Sequence, residues 1–95
     1  MTYAFYYDAP GDEQIYRLVS EAIGKTRPDG LITAVVTKTD TGLRHLDVWQ
    51  SRERWLQFRD GQVRPAVAAV LANLGIPAPA EPPQENELAL VDVTT

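Results

Sequence analysis

Residues 43–67, LRHLDVWQSRERWLQFRDGQVRPAV, decide how the chain is read. Leu43 to Gln50 alternate as a strand does and run straight into a helix start at Ser51, a good N-cap. Arg54, not Glu, stands three residues later, so the capping box is incomplete. The helix from Arg52 carries Trp55, Leu56 and Phe58, then Val63 and Val67. Gly61 weakens it, and Pro65 removes a backbone donor and crowds the carbonyl of Gly61. The expectation is a kink or break near residues 60–64, then a second segment to about Leu74, closed by Gly75.

Working outward, Pro28-Asp29-Gly30 is a turn and Leu31 to Lys38 is a β-branched strand. Thr39 to Gly42 joins it to the strand at Leu43 as a hairpin. A three-residue loop of Asp40, Thr41 and Gly42 pairs Thr39 with Leu43. That register sets Ile32, Ala34 and Val36 on the face of Leu46 and Val48. It sets Leu31, Thr33, Val35 and Thr37 beside His45, Asp47 and Trp49.

Upstream, residues 2–8, TYAFYYD, read as a strand with Tyr3, Phe5 and Tyr7 on one face. Residues 12–23 read as a helix, with Ile15, Leu18, Val19, Ala22 and Ile23 at helical spacing and Gly24 as its stop. Downstream, residues 76–86 hold four prolines and read as a stiff extended connection. Glu87 to Thr94 reads as the last strand.

The order strand, helix, strand, strand, helix, strand is the α+β pattern of a ferredoxin-like βαββαβ sandwich, with helices on one face of a four-stranded antiparallel sheet. The second face, counted with Leu31, Val35, Trp49 and aromatic residues of the first strand, is too apolar for solvent. Two sheets packed face to face into an α/β barrel would bury it, so a homodimer is expected. The 95 residues make one domain, small enough for self-association to help it.

Composition narrows function. The chain has no cysteine, so disulfides and thiolate metal sites are excluded, and one histidine with scattered carboxylates makes no metal cluster. No apolar run approaches the ~20 residues of a membrane span, and the N-terminus has no signal-peptide pattern. A cytoplasmic protein without membrane contact is the expectation. A net charge of −4 with no basic run argues against nucleic acid. No Gly-rich phosphate loop or nucleophile elbow is present.

Candidate site residues follow from chemistry and position. His45 is a possible base, Asp47 a nearby carboxylate, and Trp49 an aromatic wall for a flat substrate. Residues two apart on a strand stand ~6.5–7 Å apart at Cα, so a direct His–Asp bond does not follow. The alternative is a polar patch beside the dimer interface, paired with Thr33 and Thr37. Tyr7 could donate a proton, and Tyr3, Tyr6 and Tyr16 also offer phenols; each could equally pack its ring and bond its hydroxyl at an edge. Trp55 and Phe58 share the inner helix face as core or pocket wall. Arg64 could hold an anionic ligand or pair on the surface with Asp60 or Glu53.

The segment from Asp47 to Pro77 resembles dimeric α/β-barrel proteins of the antibiotic-biosynthesis-monooxygenase-like group. The features are a strand ending in Trp49, Gln50 and Ser51, an aromatic pair Trp55 and Phe58, then Arg64, Pro65 and Ala66. The resemblance implies a dimeric barrel with a ligand cavity between sheet and helices. It also implies either a binding protein for a small hydrophobic or aromatic molecule or a cofactor-independent monooxygenase or isomerase acting on an aromatic or polyketide-like compound. Oxygenase-type relatives often carry His or Trp where this chain has Phe58, and haem-degrading ones an axial His near Ala68. The single histidine, His45, lies elsewhere, so both activities lose support and no cofactor is expected.

Overall fold

A computed structural model describes residues 2–78 and 83–94. The elements are β1 (Tyr3–Pro10), α1 (Glu13–Ile23), β2 (Leu31–Lys38), β3 (Gly42–Trp49), α2 (Arg52–Phe58), a π-helical turn (Arg59–Val63), α3 (Arg64–Leu74) and β4 (Asn86–Leu88). The four strands form one antiparallel sheet in the order β2-β3-β1-β4. Element order and strand order are consistent with a ferredoxin-like α+β fold.

Both helix starts are capped by side chains: Ser51 as expected, and Asp12, which the sequence reading put inside its helix, just before it. Asp12 accepts from the Ile15 N–H at 3.0 Å, and Ser51 accepts from the Arg54 N–H at 3.2 Å. The interruption expected before Pro65 takes the form of a π turn rather than a break. The Arg64 N–H reaches back five residues to the Arg59 carbonyl, which widens the helix by one residue where proline lacks a donor. The helix then continues to Leu74 and ends on Gly75 in the left-handed conformation.

The hairpin register differs from the expected one, and this exchanges the faces of β2. Lys38 pairs with Leu43, Val36 with His45, Val35 with Leu46 and Ala34 with Asp47. The loop is a tight turn on Asp40 and Thr41, closed by the Thr39 N–H on the Gly42 carbonyl at 2.9 Å. The Thr39 hydroxyl holds it by accepting from the Gly42 N–H at 3.0 Å. A bulge between Leu31 and Thr33 then returns Leu31 to the side of Trp49. Val36 and Ala34 therefore share a face with His45, Asp47 and Trp49, whereas Val35 and Thr33 lie with Leu46 and Val48.

The helices cover the first of these faces. Tyr3, Phe5, Trp49 and Trp55 form the buried centre, with Tyr7, Leu31, Leu56, Phe58 and Val63 packed around it. Phe5 and Trp49 lie beneath Trp55, at ring distances of 4.8 and 5.6 Å; Leu46 and Val48, expected there, are on the opposite face. Turning the largest side chains inward removes the most apolar area from water, roughly 1.5–3 kcal/mol for a residue such as Phe5.

The face away from the helices is consequently more polar than expected. Leu31 and Trp49 are absent from it. Ala4, Tyr6, Val35, Leu46, Val48 and Leu88 share it with Thr33, Thr37 and an Arg44–Asp8 ion pair. Val35 remains 48% exposed.

The last strand is shorter than the expected Glu87 to Thr94. Leu88 pairs with Ala4, so continuing the register would set Ala89 against Tyr3, where β1 starts. Val91 to Thr94 then have no strand beside them, and Val91 is 98% exposed. Residues 79–82 of the proline-rich connection lie outside the described residues.

Among the described residues, no helix is long and apolar enough to cross a membrane, and no group of three or more His, Cys, Asp and Glu side chains could hold a metal ion.

Candidate functional site

Most of the residues singled out from the sequence lie on the helix-covered side of the sheet, while Tyr6 lies on the other face. Tyr3 and Tyr7 come from β1, His45, Asp47 and Trp49 from β3, and Trp55 and Phe58 from α2. Arg64 stands apart. Its guanidinium is half-exposed and lies 3.5 Å from Asp60 one turn before it, the surface pairing that was the alternative to ligand binding.

Tyr7 and His45 are direct strand partners, and their rings stack at 4.7 Å with planes 6° apart. Tyr16 of α1 also contacts the imidazole, with ring centroids 5.7 Å apart at a 57° tilt. Burial lowers the His45 pKa, so the ring is neutral at pH 7. Burial, with the charges of Asp47 and Glu85 beside it, holds the Tyr7 phenol well above its ordinary range, so it is a hydrogen-bond donor and not a phenolate.

Asp47 does not engage His45. Its Oδ2 accepts from the Trp49 Nε1–H at 3.1 Å, along the same strand. Burial raises its pKa, an effect opposed by that hydrogen bond. The imidazole is thus left without a carboxylate to orient it, and the pair is not a base–orienter dyad in this geometry.

Trp55 is 3% exposed and ringed by Phe5, Trp49, Tyr7 and Phe58. Its indole Nε1–H has no partner among the described residues. Such a donor costs ~1–3 kcal/mol when it is buried unpaired.

Two further residues join the site that the sequence reading did not select. Arg59, first residue of the π turn, pairs with Glu85 at 2.8 Å; their side chains are only 23% and 15% exposed. The Tyr3 hydroxyl approaches the same carboxylate at 3.4 Å. This ties the approach to β4 onto the helix layer and brings a second carboxylate toward Tyr7. The pair is 26 positions apart in sequence, which no local pattern connects. The signal that existed was Gly61 followed by Pro65, because the π turn they require is what sets the direction of Arg59.

Space lies to one side of this row, between α1 and the hairpin. One hollow of about 290 Å³ is lined by Glu13, Tyr16, Arg17, Val36, Lys38 and Leu43 among others. A second, of about 530 Å³, opens beside it along Gly11 to Gln14 and the hairpin turn. Leu43 lies between the two, and Val36 is the strand partner of His45. The smaller hollow thus combines Val36, Leu43 and Tyr16 with the charged Glu13, Arg17 and Lys38, and His45 stands behind it, in contact with Tyr16 and paired across the strands with Val36.

The chain matches no known protein-family model, and no curated protein is similar enough to count as a relative.

Proposed function

We propose that this chain binds a small hydrophobic or aromatic molecule in the cleft between α1 and the β2–β3 hairpin. The observation that carries this reading is the position of His45. A neutral imidazole contacts the Tyr7 and Tyr16 rings beside a hollow of about 290 Å³ in which Tyr16, Val36 and Leu43 supply apolar surface. The Tyr16 ring favours a flat ligand, and its phenol and the charged groups of Arg17 and Lys38 supply polar contacts to orient it.

Catalysis as a cofactor-independent monooxygenase or isomerase is the second reading. A neutral histidine beside the cleft could abstract a proton from an activated carbon. The engagement of Asp47 by Trp49 places the weight on binding. Membership of the dimeric α/β-barrel superfamily accords with both readings, as does a cytoplasmic location.

The same proposal includes a homodimer. Val35, Tyr6, Leu46 and Leu88 on the outer face, and the arm from Ala89 to Thr94 that outruns β1, are the surfaces a second copy would cover. Sedimentation at micromolar concentration should give a species of twice 10.6 kDa; a single 10.6 kDa species contradicts the dimer.

Ligand binding is tested by calorimetric titration with anthraquinone-2-sulfonate as a flat aromatic probe. Saturable binding of one probe per chain, weakened about tenfold by Tyr16→Ala, is expected, a loss equivalent to ~1.4 kcal/mol. The absence of saturable binding overturns the proposal.

A further inference from the structure

We propose that the arm after β4, residues 89–94, pairs as an added strand with the free edge of β2 in a second copy, each copy giving one arm and receiving one. The first observation is a mismatch between the sequence of β2 and its place. Residues 31–36, LITAVV, are apolar but for Thr33 and hold no charge or proline, the composition of a strand covered on both faces. Yet β2 is an outermost strand of the sheet. Val35 is 48% exposed on the outer face, and Ala34 is exposed on the side of the helices, so neither side is fully covered at this edge. Edge strands are ordinarily guarded by charges, proline or bulges. Here the guards stand only at the ends. The bulge after Leu31 and the Arg27 guanidinium, which donates to the Leu31 carbonyl at 3.1 Å and to that of Ile32, take up the start. Lys38 takes up the end, and residues 33–37 lie open between them.

The arm is the complementary oddity. Residues 88–94, LALVDVT, are rich in strand-forming side chains, and Leu90 and Val91 are 41% and 98% exposed. Among the described residues no strand lies beside residues 91–94, because β1 starts at Tyr3. The β2 of the same copy does not serve. It is the opposite edge of the sheet, with β3 and β1 between, so the arm could reach it only by crossing a face. A second copy related by a twofold axis supplies both missing partners at once, and the exchange closes at two copies.

This pairing rests on the homodimer reading above and deepens it. The outer face supplies apolar area, and the backbone hydrogen bonds of the arm supply register. The edge also borders the smaller hollow, which Val36, Thr37 and Lys38 help to line, so the partner's arm would extend that lining.

Val91→Pro tests the pairing without disturbing the monomer, since it removes a backbone donor at a residue that no strand adjoins and whose side chain is 98% exposed. Sedimentation equilibrium should give a dimer dissociation constant raised at least ~10-fold, against less than ~2-fold for Val91→Thr, which keeps the donor and the β propensity. Truncation after Leu88 should weaken the dimer at least as much as the proline. In dimers mixed from isotope-labelled and unlabelled chains, intermolecular NOEs should join residues 90–93 to residues 33–37. A dimer that Val91→Pro leaves unchanged, or whose intermolecular NOEs lack these contacts, overturns the pairing and keeps the homodimer. A monomer at every concentration overturns both.

Discussion

Tyr7 and His45 stack across β1 and β3 with centroids 4.7 Å apart, nearly parallel, and the burial that results keeps the imidazole neutral. The folded pKa is lowered while the unfolded one stays near ~6.5, so the unfolded chain takes up a proton first as pH falls. His45 therefore costs no stability above that value, and stability declines as pH drops from ~6.5 toward its lowered folded value. Urea unfolding at pH 7.5, 6.5 and 5.5 should show this slope, and His45→Gln should flatten it. A variant with an unchanged slope would show that His45 is not the group responsible.

Asp47 has the opposite sign. Its folded pKa is raised, so stability is lost as pH climbs from ~3.9 to that raised value, and the buried carboxylate costs stability at pH 7. Asp47→Asn keeps an acceptor for the Trp49 indole and should equal or exceed the parent in stability at pH 7. Asp47→Leu strands that N–H and should lose ~1–3 kcal/mol. Equal losses in both variants would place the effect in packing instead.

Arg59 and Glu85 should couple strongly for an ion pair so near the surface, because each is mostly shielded from water. A double-mutant cycle with Arg59→Met and Glu85→Gln should return a coupling of ~1–3 kcal/mol. A value within error of zero would mean that the approach to β4 is held by something other than this pair.

Trp55 is enclosed by four aromatic rings, so it belongs to the core and not to the wall of an open pocket. Trp55→Ala should cost ~3–5 kcal/mol in unfolding at fixed protein concentration. Trp55→Phe should cost much less, since it removes the unpartnered indole N–H along with part of the ring. A loss below about 1.5 kcal/mol for Trp55→Ala would return Trp55 to the pocket.

Much of this architecture is legible in the residues. Ser51 announces its helix, the β-branched run of β2 announces a strand, and Gly61 with Pro65 announces the irregular turn. The facing of β2 is not, because it hangs on one threonine hydroxyl and one bulge. Thr39 selects the tight turn, which sets the faces of Thr33 to Lys38, and the bulge after Leu31 returns only Leu31 to the side of Trp49. His45, Asp47, Trp49, Tyr3 and Tyr7 could be grouped from strand alternation alone. Which side of the sheet they occupy could not, and that decides whether they meet a partner or the helices. Arg59 and Glu85 are joined only by the tertiary fold, and the length of β4 is set by where β1 starts.

The most direct test of the account is chemical-shift mapping of the labelled protein with anthraquinone-2-sulfonate, including the His45 imidazole and the tyrosine rings. The account predicts saturable shifts at Tyr7, Tyr16, Val36, Leu43 and His45, with intermolecular NOEs from the probe to Tyr16 and Leu43. Shifts centred instead on Val35, Leu46 and Tyr6 of the outer face, or none that saturate, would contradict it.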